Sequence, residues 1–180
     1  MRLAQRIVPC LWFDNQAEDA AKFYVSVFKN STITTVSRYS SAGQEIHGRP
    51  PGSVMVVAFE LDGQKFTALN GGPDFKFNEA ISLQVYCDAQ QEIDYYWERL
   101  SQGGDPKAQQ CGWLKDKYGL SWQVVPRLLD ELLADHESPG AQRGHDGDVE
   151  HEEDRHRRAR ACGGGGALAR VRVRLDVLSG

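Results

Sequence analysis

Two segments of the chain repeat one pattern of hydrophobic and polar positions. Segment 7–23, IVPCLWFDNQAEDAAKF, aligns without gaps on segment 81–97, ISLQVYCDAQQEIDYYW. In each copy apolar residues first alternate with other residues, which is the period of a half-buried strand. They then recur every three or four positions, which is the period of an amphipathic helix. The pattern therefore predicts a strand followed by a helix in each half of the chain.

The alternation assigns each strand residue to one of two faces. The set expected to face the helices is Ile7, Pro9, Leu11 and Phe13 in the first copy, and Ile81, Leu83, Val85 and Cys87 in the second. The apolar stripes of the helices are expected to be Ala20, Phe23, Tyr24 and Val27, and then Ile93, Tyr96, Trp97 and Leu100. Residues of the opposite strand parity are expected to face a cleft.

Further strands are predicted after each helix. In the first half they are 31–40, 53–61 and 64–70, with a polar loop over 41–52 and a two-residue Asp62-Gly63 hairpin turn. In the second half they are a short strand near 107–111, the stretch GWLKD, and the stretch LSWQVVP. Each half thus has the order βαβββ, which predicts an α+β fold of two tandem βαβββ modules. The modules are expected at about 5–72 and 79–135, within a domain spanning 1–143.

Three motifs resemble a known family. CLWFDNQAEDAAKFYVSVF, ALNGGP and CGWLKDKYGLSWQVVP are similar to the PhnB-like branch of the vicinal oxygen chelate superfamily, which includes glyoxalase I, extradiol dioxygenases and bleomycin-resistance proteins. This branch is often labelled 3-demethylubiquinone-9 3-methyltransferase. The resemblance covers roughly positions 5–143. It implies sheets that curl around a cleft with helices on the outer face, and a homodimer with paired clefts.

The metal-dependent members of that superfamily carry a ligand on each of four strands, typically two His and two Glu. The equivalent positions in this sequence are Val8, Thr67, Ser82 and Gln123. None is His or Glu, and the side chain of Val8 cannot ligate a metal, so no bound metal is expected. Methyl transfer from S-adenosylmethionine usually needs a doubly wound sheet with a Gly-rich loop after its first strand. Here DNQAEDAA follows that strand and contains no glycine, so no cofactor is expected.

The side chains expected in the cleft are apolar or aromatic, with a few hydroxyls and amides, a composition typical of a small-molecule site. They are Cys10, Trp12, Thr67, Ser82, Gln84, Tyr86, Ser121 and Gln123. A small organic ligand is therefore the predicted partner. Two alternatives stay open: an enzyme of the glyoxalase, dioxygenase or methyltransferase type, and a structural dimer without a ligand, in which these residues fill a core or an interface.

Two further groups of charged residues have a structural interpretation. Asp14 and Asp88 follow the first strand of each copy, where a carboxylate is expected to cap the helix. Lys115, Asp116 and Lys117 are expected to form a solvated turn.

Charge, hydropathy and cysteine spacing argue against three classes of protein: nucleic-acid-binding, membrane-spanning and secreted. The net charge is −4, and no dominant basic run precedes position 150, which argues against a nucleic-acid partner. No apolar run approaches the roughly 20 residues of a membrane span, and no secretory leader is recognisable. The four cysteines are widely spaced, which is typical of reduced thiols in a cytoplasmic protein.

The composition changes abruptly after Arg143. Positions 144–180 contain seven Arg and no Lys, and no aromatic residue follows Trp122. The segment lacks helical periodicity and contains a run of glycines, so it is expected to be disordered. Plausible codons for 145–162, read one base later, encode MTAMLNMKKIDIAELERA, an amphipathic helix similar to the way PhnB-like chains end. The preferred interpretation is therefore a tail translated out of frame, and the alternative is a His/Glu/Asp or Arg-rich binding tail.

Overall fold

The computed structural model describes residues 5–127, which form two compact units divided between Phe77 and Asn78. Each unit contains its own sheet and one long helix. None of the helices in the described part has the length and apolar character of a membrane span. The predicted end of the second module at 135, the domain boundary at 143 and the tail 144–180 lie outside the described residues.

Unit 1 follows the predicted βαβββ order. Its elements are β1 (Cys10–Phe13), α1 (Ala17–Val27), β2 (Thr32–Arg38), α2 (Gln44–His47), β3 (Val54–Leu61) and β4 (Gln64–Asn70). The strands form one sheet in the order β1-β4-β3-β2, in which β1 and β4 are parallel and the other pairs are antiparallel. Asp62 and Gly63 both have positive φ, 46° and 81°, as a tight hairpin between twisted strands requires.

Unit 2 repeats this arrangement with one strand fewer. Its elements are β5 (Leu83–Cys87), α3 (Gln90–Ser101), β6 (Trp113–Lys115) and β7 (Ser121–Pro126). The sheet order is β5-β7-β6, with β5 and β7 parallel and β6 and β7 antiparallel. The α+β class and the tandem modules are confirmed.

The repeat extends to the register of the parallel strands. Cys10 is opposite Thr67 in unit 1, and Gln84 is opposite Gln123 in unit 2. The gapless alignment of the repeat equates Cys10 with Gln84, and the alignment of GQKFTALN on GLSWQVVP equates Thr67 with Gln123. The two units therefore pair equivalent residues at equivalent positions.

The strand predicted near 107–111 is wrong. Pro106–Ala108 form a 3-10 helix, and Gln110 makes an isolated bridge to Trp113. Pro106 has no amide hydrogen to give to a strand neighbour, and the Asp105 carboxylate accepts the Lys107 amide at 2.9 Å. Both effects favour a local turn over an extended strand.

The core of each unit lies between its sheet and its long helix. The largest fully buried side chains are Tyr24, Phe59 and Val57 in unit 1 and Leu100, Leu114 and Leu120 in unit 2. Two residues expected to face the helices do not: Ile7 is 89% exposed and Ile81 is 69% exposed. Both precede their strands, which begin at Cys10 and Leu83, so the alternation was extended too far toward the N-terminus.

The prediction that Asp14 and Asp88 cap the helices is also wrong. The first amide of α1, on Ala17, donates instead to Oδ1 of Asn70, at 2.8 Å. Asn70 lies at the end of β4 and is buried, and its Nδ2 donates to the Val54 carbonyl at 3.0 Å. The buried side-chain amide of Asn70, on β4, thus links the start of α1 to β4 and β3.

The turn around Asp116 is not solvated at that residue. Asp116 is 2% exposed, and its carboxylate accepts hydrogen bonds from the Tyr118 amide, the Leu120 amide and the Trp122 indole, at 2.8, 3.1 and 2.8 Å. A buried carboxylate that accepts several hydrogen bonds is well compensated for its lost hydration. The buried Asp116 carboxylate therefore stabilises the β6–β7 connection through these three hydrogen bonds.

We predict that Asp116→Ala destabilises the protein by about 3 kcal/mol or more, because each buried donor left without an acceptor costs roughly 1–3 kcal/mol. Urea denaturation followed by circular dichroism measures the change. The matched control is Asp105→Ala, which removes an exposed carboxylate that accepts one amide and should cost much less. Equal losses in the two variants would contradict the structural role assigned to Asp116.

Candidate functional site

Each sheet has one face covered by its helix and one open face. Along β4 and β7 the burial alternates, with Phe66, Ala68, Trp122 and Val124 buried and Thr67 and Gln123 half-buried. The predicted cleft residues fall into two groups, one in each unit. Cys10, Trp12 and Thr67 lie on the open face of unit 1, and Ser82, Gln84, Tyr86 and Gln123 lie on that of unit 2.

The four residues of unit 2 are joined by hydrogen bonds into one chain. Tyr86 Oη donates to Gln84 Oε1 at 3.0 Å, and Gln84 Nε2 donates to Gln123 Oε1 at 3.4 Å. Gln123 Nε2 in turn donates to Ser82 Oγ at 2.7 Å. We call this set of four residues the amide chain. Each glutamine of the chain accepts a hydrogen bond from the residue before it and donates to the residue after it, so each bond orients the next group. Because Ser82 Oγ accepts from Gln123, the Ser82 hydroxyl hydrogen points away from Gln123.

Ser121 does not join the amide chain. It has the same strand parity as Gln123, but it is 1% exposed, and its Oγ has no hydrogen-bond partner among residues 5–127. An incoming ligand would not reach this hydroxyl without a rearrangement of the sheet surface.

The open face of unit 1 is more apolar and centres on Trp12. The indole is edge-on to Phe75, with 4.9 Å between the ring centroids, and its Nε1 donates to the Gly72 carbonyl at 2.8 Å. A Cβ atom on Gly71 would lie 2.1 Å from the indole, so only glycine leaves room for the ring there. The glycines of the LNGGP stretch therefore make room for Trp12 and bind its indole.

Each unit places an arginine beside the aspartate that follows its first strand. Arg49 Nη2 lies 3.7 Å from Asp14 Oδ1, and Arg127 Nε lies 2.6 Å from Asp88 Oδ1. The Arg127 guanidinium also lies over the Tyr86 ring, 5.8 Å from its centroid, within the range of a cation–π contact. Sequence reasoning missed both arginines because they lie outside the repeated segments.

The side chains at the four positions equivalent to metal ligands do not fit a divalent metal. Gln123 Oε1, the one amide oxygen among the four positions equivalent to metal ligands, already accepts from Gln84. Val8 offers no side-chain donor, and Thr67 and Ser82 offer hydroxyls, which bind such ions weakly. No group of three or more His, Cys, Asp or Glu side chains in the described part of the chain could hold a metal ion.

The sheets also differ from the doubly wound parallel sheet that usually binds S-adenosylmethionine. Within residues 5–127, each sheet has a single parallel pair of strands, and its other pairs are antiparallel.

The exposed thiols contrast with the buried one. Cys10 and Cys111 are exposed, whereas Cys87 is 2% exposed. Burial, followed by the nearby charges of Glu92 and Asp88, raises the pKa of the Cys87 thiol to about 11 from an ordinary value of 9.0. Cys87 is therefore a protonated core residue near neutral pH and a poor nucleophile.

We predict that Ellman's reagent at pH 8 modifies Cys10 and Cys111 of the Cys162→Ser variant rapidly and Cys87 only after unfolding. The higher pKa alone lowers the thiolate fraction of Cys87 about a hundredfold, and burial blocks access as well. Cys10→Ser should remove one fast-reacting thiol. Fast reaction of all three thiols in the native protein would contradict the assignment of Cys10 to the open face of its sheet and of Cys87 to the helix-covered face of its own.

The raised pKa of Cys87 also determines how the stability of the protein changes with pH. Because the pKa in the folded state lies above the unfolded value, the contribution of Cys87 to stability is complete below about pH 9. It declines as the pH rises toward 11.

The sequence matches the family model described as 3-demethylubiquinone-9 3-methyltransferase over residues 5–125. No curated protein is significantly similar to the chain.

Among solved structures, a PhnB protein from Bacillus cereus that carries the same methyltransferase name is 36% identical, with a TM-score of 0.58. The match covers 68% of this chain and 99% of that one. Protein PA1353 from Pseudomonas aeruginosa is 17% identical over 68% of this chain and 98% of its own, with a TM-score of 0.54. The fosfomycin resistance protein FosX from Listeria monocytogenes is 15% identical over 73% and 98%, with a TM-score of 0.50. The last two show likeness of fold alone.

Proposed function

The chain belongs to the 3-demethylubiquinone-9 3-methyltransferase family of the vicinal oxygen chelate superfamily, and we propose that it binds a small organic molecule on the open face of the unit 2 sheet, without a metal ion. The observation that carries this proposal is the amide chain of unit 2. Its four polar side chains are half-buried or exposed, and three hydrogen bonds join them to one another.

The amide chain has the properties of a recognition surface. Gln84 and Gln123 each use one amide hydrogen within the chain, so each retains a second donor for a ligand. Their orientation is fixed before binding, which lowers the entropic cost of ordering them around a ligand. The aromatic ring of Tyr86, 38% exposed, adds apolar surface beside the polar groups, the combination found in small-molecule sites.

The open face of unit 1 offers a second, less polar surface. Trp12 is held by Gly72 and Phe75, and its half-buried neighbour Leu69 is paired with it across β1 and β4. Such a surface, taken by itself, favours contact with apolar or aromatic groups.

The family resemblance also supports a homodimer, and the reduced-thiol pattern supports a cytoplasmic location; both are part of the proposal. Light scattering coupled to size-exclusion chromatography tests the dimer directly. A mass of one chain at micromolar concentration would contradict it.

The ligand is to be identified by native mass spectrometry of protein purified from its own cells, combined with elemental analysis. We expect a bound organic molecule and no stoichiometric transition metal. Stoichiometric Fe, Mn, Ni or Zn would support the glyoxalase or dioxygenase alternative. Tight binding of S-adenosylmethionine would support the methyltransferase, and a dimer without any ligand would support the structural alternative.

We predict that Gln123→Leu weakens binding of the molecule so identified at least tenfold, because it removes the residue bonded to both Gln84 and Ser82. A net loss of about 1.4 kcal/mol corresponds to that factor. The matched control, Gln91→Leu, makes the same change at an exposed position of α3 and should leave affinity unchanged. Isothermal titration calorimetry measures both, and equal affinities in the two variants would contradict the assignment of the amide chain.

A further inference from the structure

Trp113, on β6, places an aromatic ring next to the amide chain. Trp113 is opposite Gln123 in the pairing of β6 with β7, and Gln123 is opposite Gln84 in the pairing of β7 with β5. Residues directly opposite each other on neighbouring strands point to the same face of a sheet. The alternate residues Leu114 and Trp122 are 1% and 2% exposed and lie on the covered face. Trp113, Gln123 and Gln84 therefore form one row across the open face of unit 2.

A tight turn fixes the backbone of Trp113. Cys111 and Gly112 have φ values of 51° and 86°, as the two central residues of a hairpin turn require. The Trp113 amide donates to the Gln110 carbonyl at 2.8 Å, and the Gln110 amide donates to the Trp113 carbonyl at 2.9 Å. Both backbone groups of Trp113 thus point away from β7. Trp113 and Gln123 are therefore a non-hydrogen-bonded pair, the kind in which opposite Cα atoms are only ~4.5 Å apart and the side chains are closest.

The indole of Trp113 is not used by the protein itself. By contrast, the Trp12 indole donates to the Gly72 carbonyl, and the Trp122 indole donates to the Asp116 carboxylate. Trp113 is half-buried, and within residues 5–127 its indole makes no hydrogen bond and contacts no other aromatic ring. A ring of this kind offers a ligand both a flat apolar face and an N–H donor.

The amide chain leaves a balanced set of hydrogen-bonding groups. A primary amide has two N–H donors and an oxygen that accepts two hydrogen bonds. Gln84 and Gln123 each donate once and accept once within the chain, and their side chains make no other hydrogen bond in the described part of the protein. Each amide therefore retains one donor and one acceptor. A ligand group with a donor beside an acceptor matches both, whereas a carboxylate or an ammonium group matches only one.

The charged groups that border this row are paired. Arg127 Nε lies 2.6 Å from Asp88 Oδ1, and Lys115 Nζ forms an ion pair with the Glu79 carboxylate. The row itself contains two amides and an indole, so it is neutral. A charged ligand would bring an unpaired charge onto this partly buried surface, which costs free energy. The row therefore favours a neutral ligand.

We propose that the ligand of the unit 2 open face is a neutral, flat, conjugated ring that contains a cyclic amide. The ring stacks on Trp113, which gains apolar contact and the favourable geometry of aromatic pairs. The N–H and C=O of the cyclic amide lie on one edge of the ring and pair with the remaining acceptor and donor of Gln123. This inference rests on the function proposed above, names the class of its ligand and adds Trp113 to the residues that bind it.

The first test compares four probes by nuclear magnetic resonance titration. 2-Quinolone has both the flat ring and the cyclic amide. N-methyl-2-quinolone lacks the donor, 2-naphthoate carries a carboxylate on a flat ring, and 2-piperidone has the cyclic amide without a conjugated ring. We expect 2-quinolone to bind at least tenfold more tightly than each of the other three. Absence of 2-quinolone binding, or equal binding of any of the other three probes, would overturn the proposal.

The indole resonances of 15N-labelled protein locate the bound probe. We expect the Nε1 resonance of Trp113 to shift in a saturable way with 2-quinolone, and that of Trp97, on α3, to stay unchanged. Trp113→Leu should weaken 2-quinolone binding at least tenfold, and Trp113→Phe should weaken it less. The matched control, Tyr95→Leu, removes an exposed aromatic ring from α3 and should bind as the unaltered protein does. An unshifted Trp113 resonance, or unchanged binding in Trp113→Leu that circular dichroism shows to be folded, would overturn the proposal.

Gln123→Leu tests the pairing with the cyclic amide. In this variant 2-quinolone should bind no more tightly than N-methyl-2-quinolone, because the partner of the edge is gone. A tenfold preference that survives the substitution would overturn the pairing.

The outcomes separate this inference from the proposed function. If the molecule identified by native mass spectrometry depends on Gln123 but not on Trp113, the ligand class is wrong and the proposed function stands. If the protein binds no organic molecule at all, the proposed function fails and this inference fails with it.

Discussion

The parallel pairing of the first and last strands of each unit is the constraint on which the rest of the structure depends. It sets Cys10 opposite Thr67 and Gln84 opposite Gln123. A slip of one residue would turn every side chain of a strand to the other face, which would bury polar groups and expose the core. The register therefore decides which side chains pack under the helix and which remain available on the open face.

The same scaffold carries two chemically different surfaces. At equivalent positions unit 1 has Cys10 and Thr67 and unit 2 has two glutamines, so the polar chain forms in unit 2 alone among the described residues. The aromatic position is kept, as Trp12 in one unit and Tyr86 in the other. Its support differs, since a glycine turn seats Trp12 and an arginine covers Tyr86. The two units thus share their strand pairing and differ in the side chains of their open faces.

Local patterns predicted most of the fold. The repeated alternation located β1 and β5, and the Asp62-Gly63 pair located the hairpin, because strand period and turn chemistry are properties of neighbouring residues. The failures have local causes as well. Proline and an Asx turn replaced the strand near 107–111, and the alternation at Ile7 and Ile81 continued beyond the paired residues.

Long-range contacts were harder to predict. Asp116 appears in the sequence between two lysines, and nothing nearby indicates that its carboxylate is buried under Trp122. Asn70 caps a helix that begins 53 positions earlier, and Arg49 approaches Gly72 from a loop. Parity placed seven predicted site residues on the open faces, but it did not reveal the hydrogen bonds that join four of them, or that Ser121 is buried.

The central claim is that the amide chain forms a preorganised binding surface. The most direct measurement is the nuclear magnetic resonance of the glutamine side-chain amides in 15N-labelled protein, titrated with the molecule identified by mass spectrometry. The account predicts that the Nε2 resonances of Gln84 and Gln123 shift in a saturable way with a common affinity, while that of Gln91 stays unchanged. Saturable binding that leaves both Gln84 and Gln123 unshifted would contradict the account.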